Sequence, residues 1–202
     1  MIPVEAAFLA IGLMLGFGLG GGLRNLAEAQ IRLWPLLPVA VALQVAPIPR
    51  LEGELGQHLP FAALLLSFVL IGVVCAVNWG LRGFPTILLG VMLNAAPIAI
   101  NQGMPVSAQA VAEVGGSVEE VPTERGGKHH LATEQDRIAF LGDAIPIREP
   151  FRAVVSVGDL LMWLGVAGFV IAAMLGRERR REEHPPSHPH RARPSTTSES
   201  PR

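Results

Sequence analysis

The chain has 202 residues; 50% are hydrophobic, only 16% are charged, and the formal net charge is −1. An average soluble domain carries roughly 25% charged residues, so this composition and the positive mean hydropathy point to a membrane protein. The charge balance excludes a basic nucleic-acid-binding face, and the single cysteine, Cys75, excludes an internal disulfide framework and a cysteine-based zinc site.

A spanning helix needs about 20 mostly apolar residues. Five runs are candidates. The first is Ile2 to Gly22, interrupted only by Glu5. Its start has an acid and no base, unlike the basic n-region of a cleaved signal peptide, so a retained helix is expected. Gly12, Gly16 and Gly20 lie four apart in it, a stripe that lets helices approach closely. The second run, Leu33 to Ile48, is short and carries Pro35, Pro38 and Pro47. The third, Leu59 to Val77, is uninterrupted and holds Cys75, expected to pack as a small hydrophobe. The fourth, Phe84 to Ile100, contains Asn94 and Pro97. The fifth runs from Val157 to Leu175, with Asp159 close to its start.

Between the fourth and fifth runs lies a segment of about 50 residues, too long for a simple connection. Its middle, AEVGGSVEEVPTERGG, is polar and Gly-rich and reads as mobile. Thr133 and Asp136 have the spacing of a capping box, which predicts a short helix from Glu134 to Leu141 stopped by Gly142. Pro146 and Pro150 are expected to keep the chain extended up to the fifth span. The tail from Arg177 is charged and then rich in Pro, Ser and His, a composition expected to be disordered.

A carboxylate at the bilayer centre costs several kcal/mol, about 2.5–3.5 on insertion scales. Ser156 stands three residues before Asp159, again the capping-box spacing. With Ser156 as N-cap, Asp159 faces the positive end of the helix dipole, worth a few tenths to about 1 kcal/mol. A helix of about 28 Å nearly matches the hydrocarbon core and leaves Asp159 at its boundary. Asn101, Lys128, His129, Asp143 and Ser156 belong to the same ends of the fourth and fifth runs. With Asp159 they form the candidate polar interface site. His129 and His130 are adjacent, a poor spacing for two metal ligands on one face, and no metal is assigned.

Lys and Arg near helix ends set orientation. Arg24, Arg32, Arg82 and the Arg177–Arg181 cluster share one side. The expected topology puts the N-terminus and long loop outside and the C-terminus in the cytoplasm of a bacterial inner membrane. If the Pro-rich second run does not span, everything upstream inverts.

NQGMPV, KHH, FLGDAIPI and VVSVGDLLMWLG, taken together, resemble an uncharacterised family of small bacterial polytopic membrane proteins, a domain of unknown function. The resemblance covers Asn101 to Gly165 by motif and the first four runs by layout. It implies a fold and a candidate site; the family has no assigned activity to transfer.

The expected fold is an all-α integral membrane protein, with about five transmembrane helices and one long, partly ordered extracytoplasmic loop. Residues 1–100 form a four-helix membrane region, 101–153 the loop, 154–176 the fifth helix and 177–202 the tail. The activity is unknown, and no cofactor or catalytic residue is assigned. The reading is a non-enzymatic binding or accessory protein in the lipid bilayer, with an envelope protein or small ligand at the outer loop. A small transporter or channel subunit, marked by Gln44, Asn94 and Pro97, is the alternative. A membrane-boundary aspartyl hydrolase using the two Gly-Asp motifs at Asp143 and Asp159 is the third.

Overall fold

The computed structural model describes residues 4–46 and 58–177. Mostly helical, it contains α1 (Val4–Gly18), α2 (Leu23–Ala27), α3 (Leu36–Val45), α4 (Leu59–Val77), α5 (Phe84–Asn101), α6 (Ala108–Glu113) and α7 (Val157–Met174). Four short strands, β1 (Met104–Val106), β2 (His129–Leu131), β3 (Ile145–Ile147) and β4 (Ala153–Val155), lie between α5 and α7.

Three helices, α4, α5 and α7, are long and apolar enough to cross a membrane. The other two predicted spans are shorter. α1 has 15 residues and gives way at Gly20, whose φ of +84° only glycine adopts without strain. α3 has 10 residues; it starts after Pro35, whose fixed φ suits a helix start, and Pro38 sits in its first turn, where a missing N–H costs little. The expected end of the second run at Pro47 and Ile48 and the tail beyond Arg177 lie outside the described residues.

Across the bundle the order is α1, α7, α5, α4, α3, each packed on the next. α1 and α7 run the same way, because Phe8 meets Trp163 at 5.4 Å between ring centres while Gly12 lies on Ala167 and Gly16 on Met174. The glycine stripe therefore packs as expected at Gly12 and Gly16. Gly20 faces open space, and Gly21 makes the third close approach, to Met174.

α5 runs against α7. Gly90 faces Gly158 and Gly83 faces Gly165, backbone against backbone. Small residues matter here because lipid tails are as apolar as leucine, so helix association in a bilayer depends on close contact and hydrogen bonds. Phe84 and Phe169 close this seam edge to face at 5.2 Å, a geometry worth about 0.5–1.5 kcal/mol beyond burial. Cys75 is buried in the same cluster, with Val74, Val170 and Met174. Outward faces remain apolar: Met14, Phe17, Val69 and Met92 are all exposed.

Asparagine side chains tie off the end of the bundle that carries Arg24, Arg32 and Arg82. Asn25 donates to the carbonyl of Met174 at 2.8 Å, satisfying an orphan carbonyl at the C-terminus of α7. Asn78 accepts from the Arg32 N–H and donates to the Arg32 carbonyl, joining the end of α4 to the chain before α3.

At the other end the segment between α5 and α7 folds into a cap, and several expectations change there. The architecture is not purely α: β1 pairs with β2 in parallel, and β3 pairs with β4 antiparallel. The stretch read as mobile holds the end of α6 and a 3-10 turn, Val118–Glu120. No helix spans Glu134 to Leu141; only a 3-10 turn, Ala139–Leu141, forms. Ile138 has a φ of +48°, which breaks the helical path, and the Asp136 carboxylate turns inward to accept from Thr133, His130 and Arg125. Gly142 is extended rather than a left-handed stop; it is needed because a Cβ there would overlap the Pro105 carbonyl of β1. Pro146 lies within β3, and the chain turns back through Pro150 into β4 instead of running extended.

Candidate functional site

The N-terminus of α7 is built as its sequence predicts. Ser156 is the N-cap, its hydroxyl accepting from the Asp159 N–H at 3.0 Å, and Asp159 accepts from the Ser156 N–H at 2.9 Å. Asn94, ten residues into α5, joins this box. It donates to Asp159 Oδ1 at 2.7 Å and accepts from the Ser156 hydroxyl at 2.7 Å. The result is a closed ring of three side chains that fastens α7 to the middle of α5. Ser156 is fully buried and Asn94 nearly so. Gly158 makes the ring fit, since a Cβ there would overlap Asn94 Oδ1.

β1 organises the cap around this ring. Its three residues are buried, with β2 on one side. On the other, Val106 bridges to Asp143, whose N–H donates to Pro105 and whose carbonyl accepts from Ser107. The Met104 N–H donates to Lys128, and His129 stands opposite Met104 in the register. Lys128, His129 and Asp143 are thereby carried over the end of the helices.

They line one cavity of about 780 Å³ together with Asn94 and Asp159. Glu5 of α1 and Arg152 add further charged groups to its wall. Its apolar lining comes from Leu64, Phe68 and Ile71 of α4, Ile98 of α5, Met162 of α7 and Val41 of α3, and from Met104, Phe151 and Val154 of the cap.

Of the six residues predicted for the site, four line this cavity: Lys128, His129, Asp143 and Asp159. Ser156 touches it through the ring. Asn101 does not join them: its amide donates to the Pro97 and Arg137 carbonyls and its oxygen accepts from the Arg137 N–H, which locks the end of α5 to the cap. His130, one residue from His129, points the other way. Fully buried, it contacts Asp136 at 3.0 Å, while its Nδ1 has no partner. Asp136 itself is held below the usual carboxylate range: burial raises it, and the hydrogen bonds from Thr133 and His130 outweigh that. No group of three or more potential metal ligands occurs among the described residues.

Electrostatics separate the groups in the cavity. Burial, reinforced by the charge of Asp159 and opposed by Lys128, pushes Asp143 from 3.8 up to about 7. His129, whose Nε2 is 3.6 Å from Asp143 Oδ2, is lowered from 6.5 to about 4 by burial and by Lys128, against the pull of Asp159. Between those values the pair holds one proton, a macroscopic property of the two together. A carboxyl group kept where ionisation is unfavourable is a mark of functional sites.

Its consequence for stability has a definite sign. The folded protein binds a proton at Asp143 more readily than the unfolded chain does, so stability falls as pH rises from about 4 to about 7. Above about 7 the full penalty applies. His129 acts in the opposite sense between about 4 and 6.5 and masks part of the slope. Asp143→Asn is therefore expected to raise stability by roughly 1–3 kcal/mol at pH 8 and by far less at pH 4. Thermal melts of both proteins across that range check this; an equal shift at both pH values would contradict it.

Asn94 carries the part of the site least visible in the sequence. A lone asparagine in an apolar run marks a polar contact inside a bundle, but spacing alone does not say with what.

Residues 28–171, from the end of α2 almost to the end of α7, match a family described as a family of unknown function (DUF5317). An uncharacterised protein of Thermotoga maritima is 31% identical over 120 residues, covering 57% of this chain and 67% of that protein. No solved structure matches the chain.

Proposed function

We propose a function from one premise: the chain belongs to the DUF5317 family, a family of unknown function. It is a polytopic protein of the bacterial cell membrane that binds a small amphiphile at the outer interface, without chemistry. All five apolar helices cross the membrane or insert deeply in it, with the cap and N-terminus outside and the C-terminus in the cytoplasm.

The observation that carries this reading is the cavity. Its wall combines charged groups, Glu5, Lys128, Asp143, Arg152 and Asp159, with apolar side chains such as Leu64, Phe68, Ile71, Ile98 and Met162, which suits a molecule that has both a charged and an apolar part. Topology is supported by the ends of the bundle. Arg24, Arg32 and Arg82 gather at the end away from the cap, as basic residues do on the cytoplasmic side. The ring weighs against the other two readings. Asn94 is spent on Ser156 and Asp159, so it does not line a conduction path as a free polar group. Both oxygens of Asp159 are taken by N–H donors, which suits a fastening carboxylate better than half of a proton-sharing dyad.

Cysteine protection tests sidedness and occupancy together. In a Cys75→Ala background, Ser117→Cys reports on the cap and Phe151→Cys on the cavity wall. In right-side-out vesicles an impermeant maleimide is expected to label both. A single-chain phospholipid added below its lytic concentration is expected to protect Phe151→Cys and not Ser117→Cys. Labelling that requires permeabilised vesicles would reverse the topology, and equal labelling of both sites with the amphiphile present would rule out occupancy.

A further inference from the structure

We infer that the cavity takes a phospholipid whose headgroup carries both a phosphate and an ammonium, and that it enters sideways from the bilayer between α1 and α3. This rests on the amphiphile-binding reading above and specifies its ligand and route.

The route comes from the order of helices. α1 and α3 are the two ends of the row, and among the described residues they make next to no contact with each other. Yet each contributes to the cavity wall, α1 through Val4 and Glu5 and α3 through Val41 and Gln44. The cavity is thus flanked by two helices that do not close on one another. Gln44 is turned away from the gap by its hydrogen bond to the Ser67 hydroxyl at 3.0 Å. Val4 and Val41 give each flanking helix an apolar side chain on the wall, suited to the passage of acyl chains.

The headgroup class comes from charge. The wall carries acids, Glu5, Asp143 and Asp159, and bases, Lys128 and Arg152. Arg152 donates to the carbonyls of Val114 and Gly115 and keeps its charge. A phosphate matches Lys128, and an ammonium group matches Glu5 and Asp159. Trp163 and Phe151 place aromatic rings on the same wall, a feature that suits an ammonium. A purely anionic head would leave Glu5 and Asp159 opposed. A purely cationic one would leave Lys128 opposed. A head with both charges pairs with each side.

The chain's own tryptophans supply the test. Trp34 and Trp79 are exposed near the opposite end of the bundle, and Trp163 faces the cavity. Full-length protein with Trp34→Phe and Trp79→Phe is placed in nanodiscs of phosphatidylglycerol. A minor fraction of lipid with brominated chains is added, either phosphatidylethanolamine or phosphatidylglycerol. A Trp79-only protein reports quenching by bulk lipid. The expected result is quenching of Trp163 by brominated phosphatidylethanolamine well above that bulk level, with a preference of about tenfold over brominated phosphatidylglycerol. Lys128→Gln with Glu5→Gln is expected to abolish the preference, and Val41→Phe to slow the onset when labelled lipid is supplied from vesicles. Excess quenching equal for both headgroups would overturn the headgroup assignment and keep the amphiphile site. An unchanged onset in Val41→Phe would overturn the route. Quenching of Trp163 at the bulk level for every lipid would overturn the inference and the binding function with it.

Discussion

Gly158→Val is expected to yield no protein with native packing of α7 on α5. A Cβ at Gly158 would overlap Asn94 Oδ1 and lie 2.6 Å from the Gly90 carbonyl oxygen. The first neighbour is locked in the ring by two hydrogen bonds of 2.7 Å. The second is backbone, and it can retreat only if the helices part. Overpacking a core that can adjust costs roughly 1–3 kcal/mol. Here the adjustment would also break the ring, so the total is a large fraction of the roughly 5–15 kcal/mol that holds an ordinary fold together. Gly168→Val is the control, because a Cβ at Gly168, on the same helix, meets nothing within 4 Å. Size-exclusion profiles and thermal melts in detergent should show a native peak for Gly168→Val and aggregate or no protein for Gly158→Val. Equal behaviour of the two would show that the α5–α7 seam is not as close as described.

Asn94→Leu removes the centre of the ring without adding bulk. It deprives Asp159 Oδ1 of its side-chain donor and the buried Ser156 hydroxyl of its acceptor. Leaving a buried polar group unpaired costs about 1–3 kcal/mol, and more where charge is involved. A loss of roughly 2–4 kcal/mol is expected. The three side chains act as one unit, so their effects should not add. Ser156→Ala introduced into Asn94→Leu should cost clearly less than Ser156→Ala alone. Stabilities of the four proteins, measured by denaturant or heat in one detergent, decide this; an additive pair would mean that Asn94 and Ser156 do not share a network.

Much of the helical framework was legible in the sequence because its signals are local. Apolar runs of sufficient length mark α4, α5 and α7 directly. The capping box at Ser156 and Asp159 needs only residues three apart, and it forms as read. Glycines four apart on α1 meet α7 at two of three positions. The third differs because Gly20 lies past the helix end, where periodicity no longer describes the chain.

The cap was less legible for a matching reason. Thr133 and Asp136 carry the same spacing as Ser156 and Asp159, yet only one pair begins a helix. The difference is what surrounds the carboxylate. Asp136 is drawn to His130 and Arg125, and Ile138 then takes a left-handed conformation. Pro146 likewise reads as an extended residue in isolation, and its strand pairing with Val154 is a contact that no local pattern encodes.

By itself, the sequence determined an apolar helical protein with a polar cap-side cluster near the starts and ends of its last two long helices, because composition, run length and capping spacing act over a few residues. Tertiary structure alone decided that Asn94 closes a ring with Ser156 and Asp159, and that Asn101 serves the chain at Arg137 rather than the cavity. It also decided that His129 and His130 part company although adjacent. Each of these depends on which element lies opposite, and a hydrogen bond between residues 62 or 65 positions apart is set by packing, not by spacing along the chain.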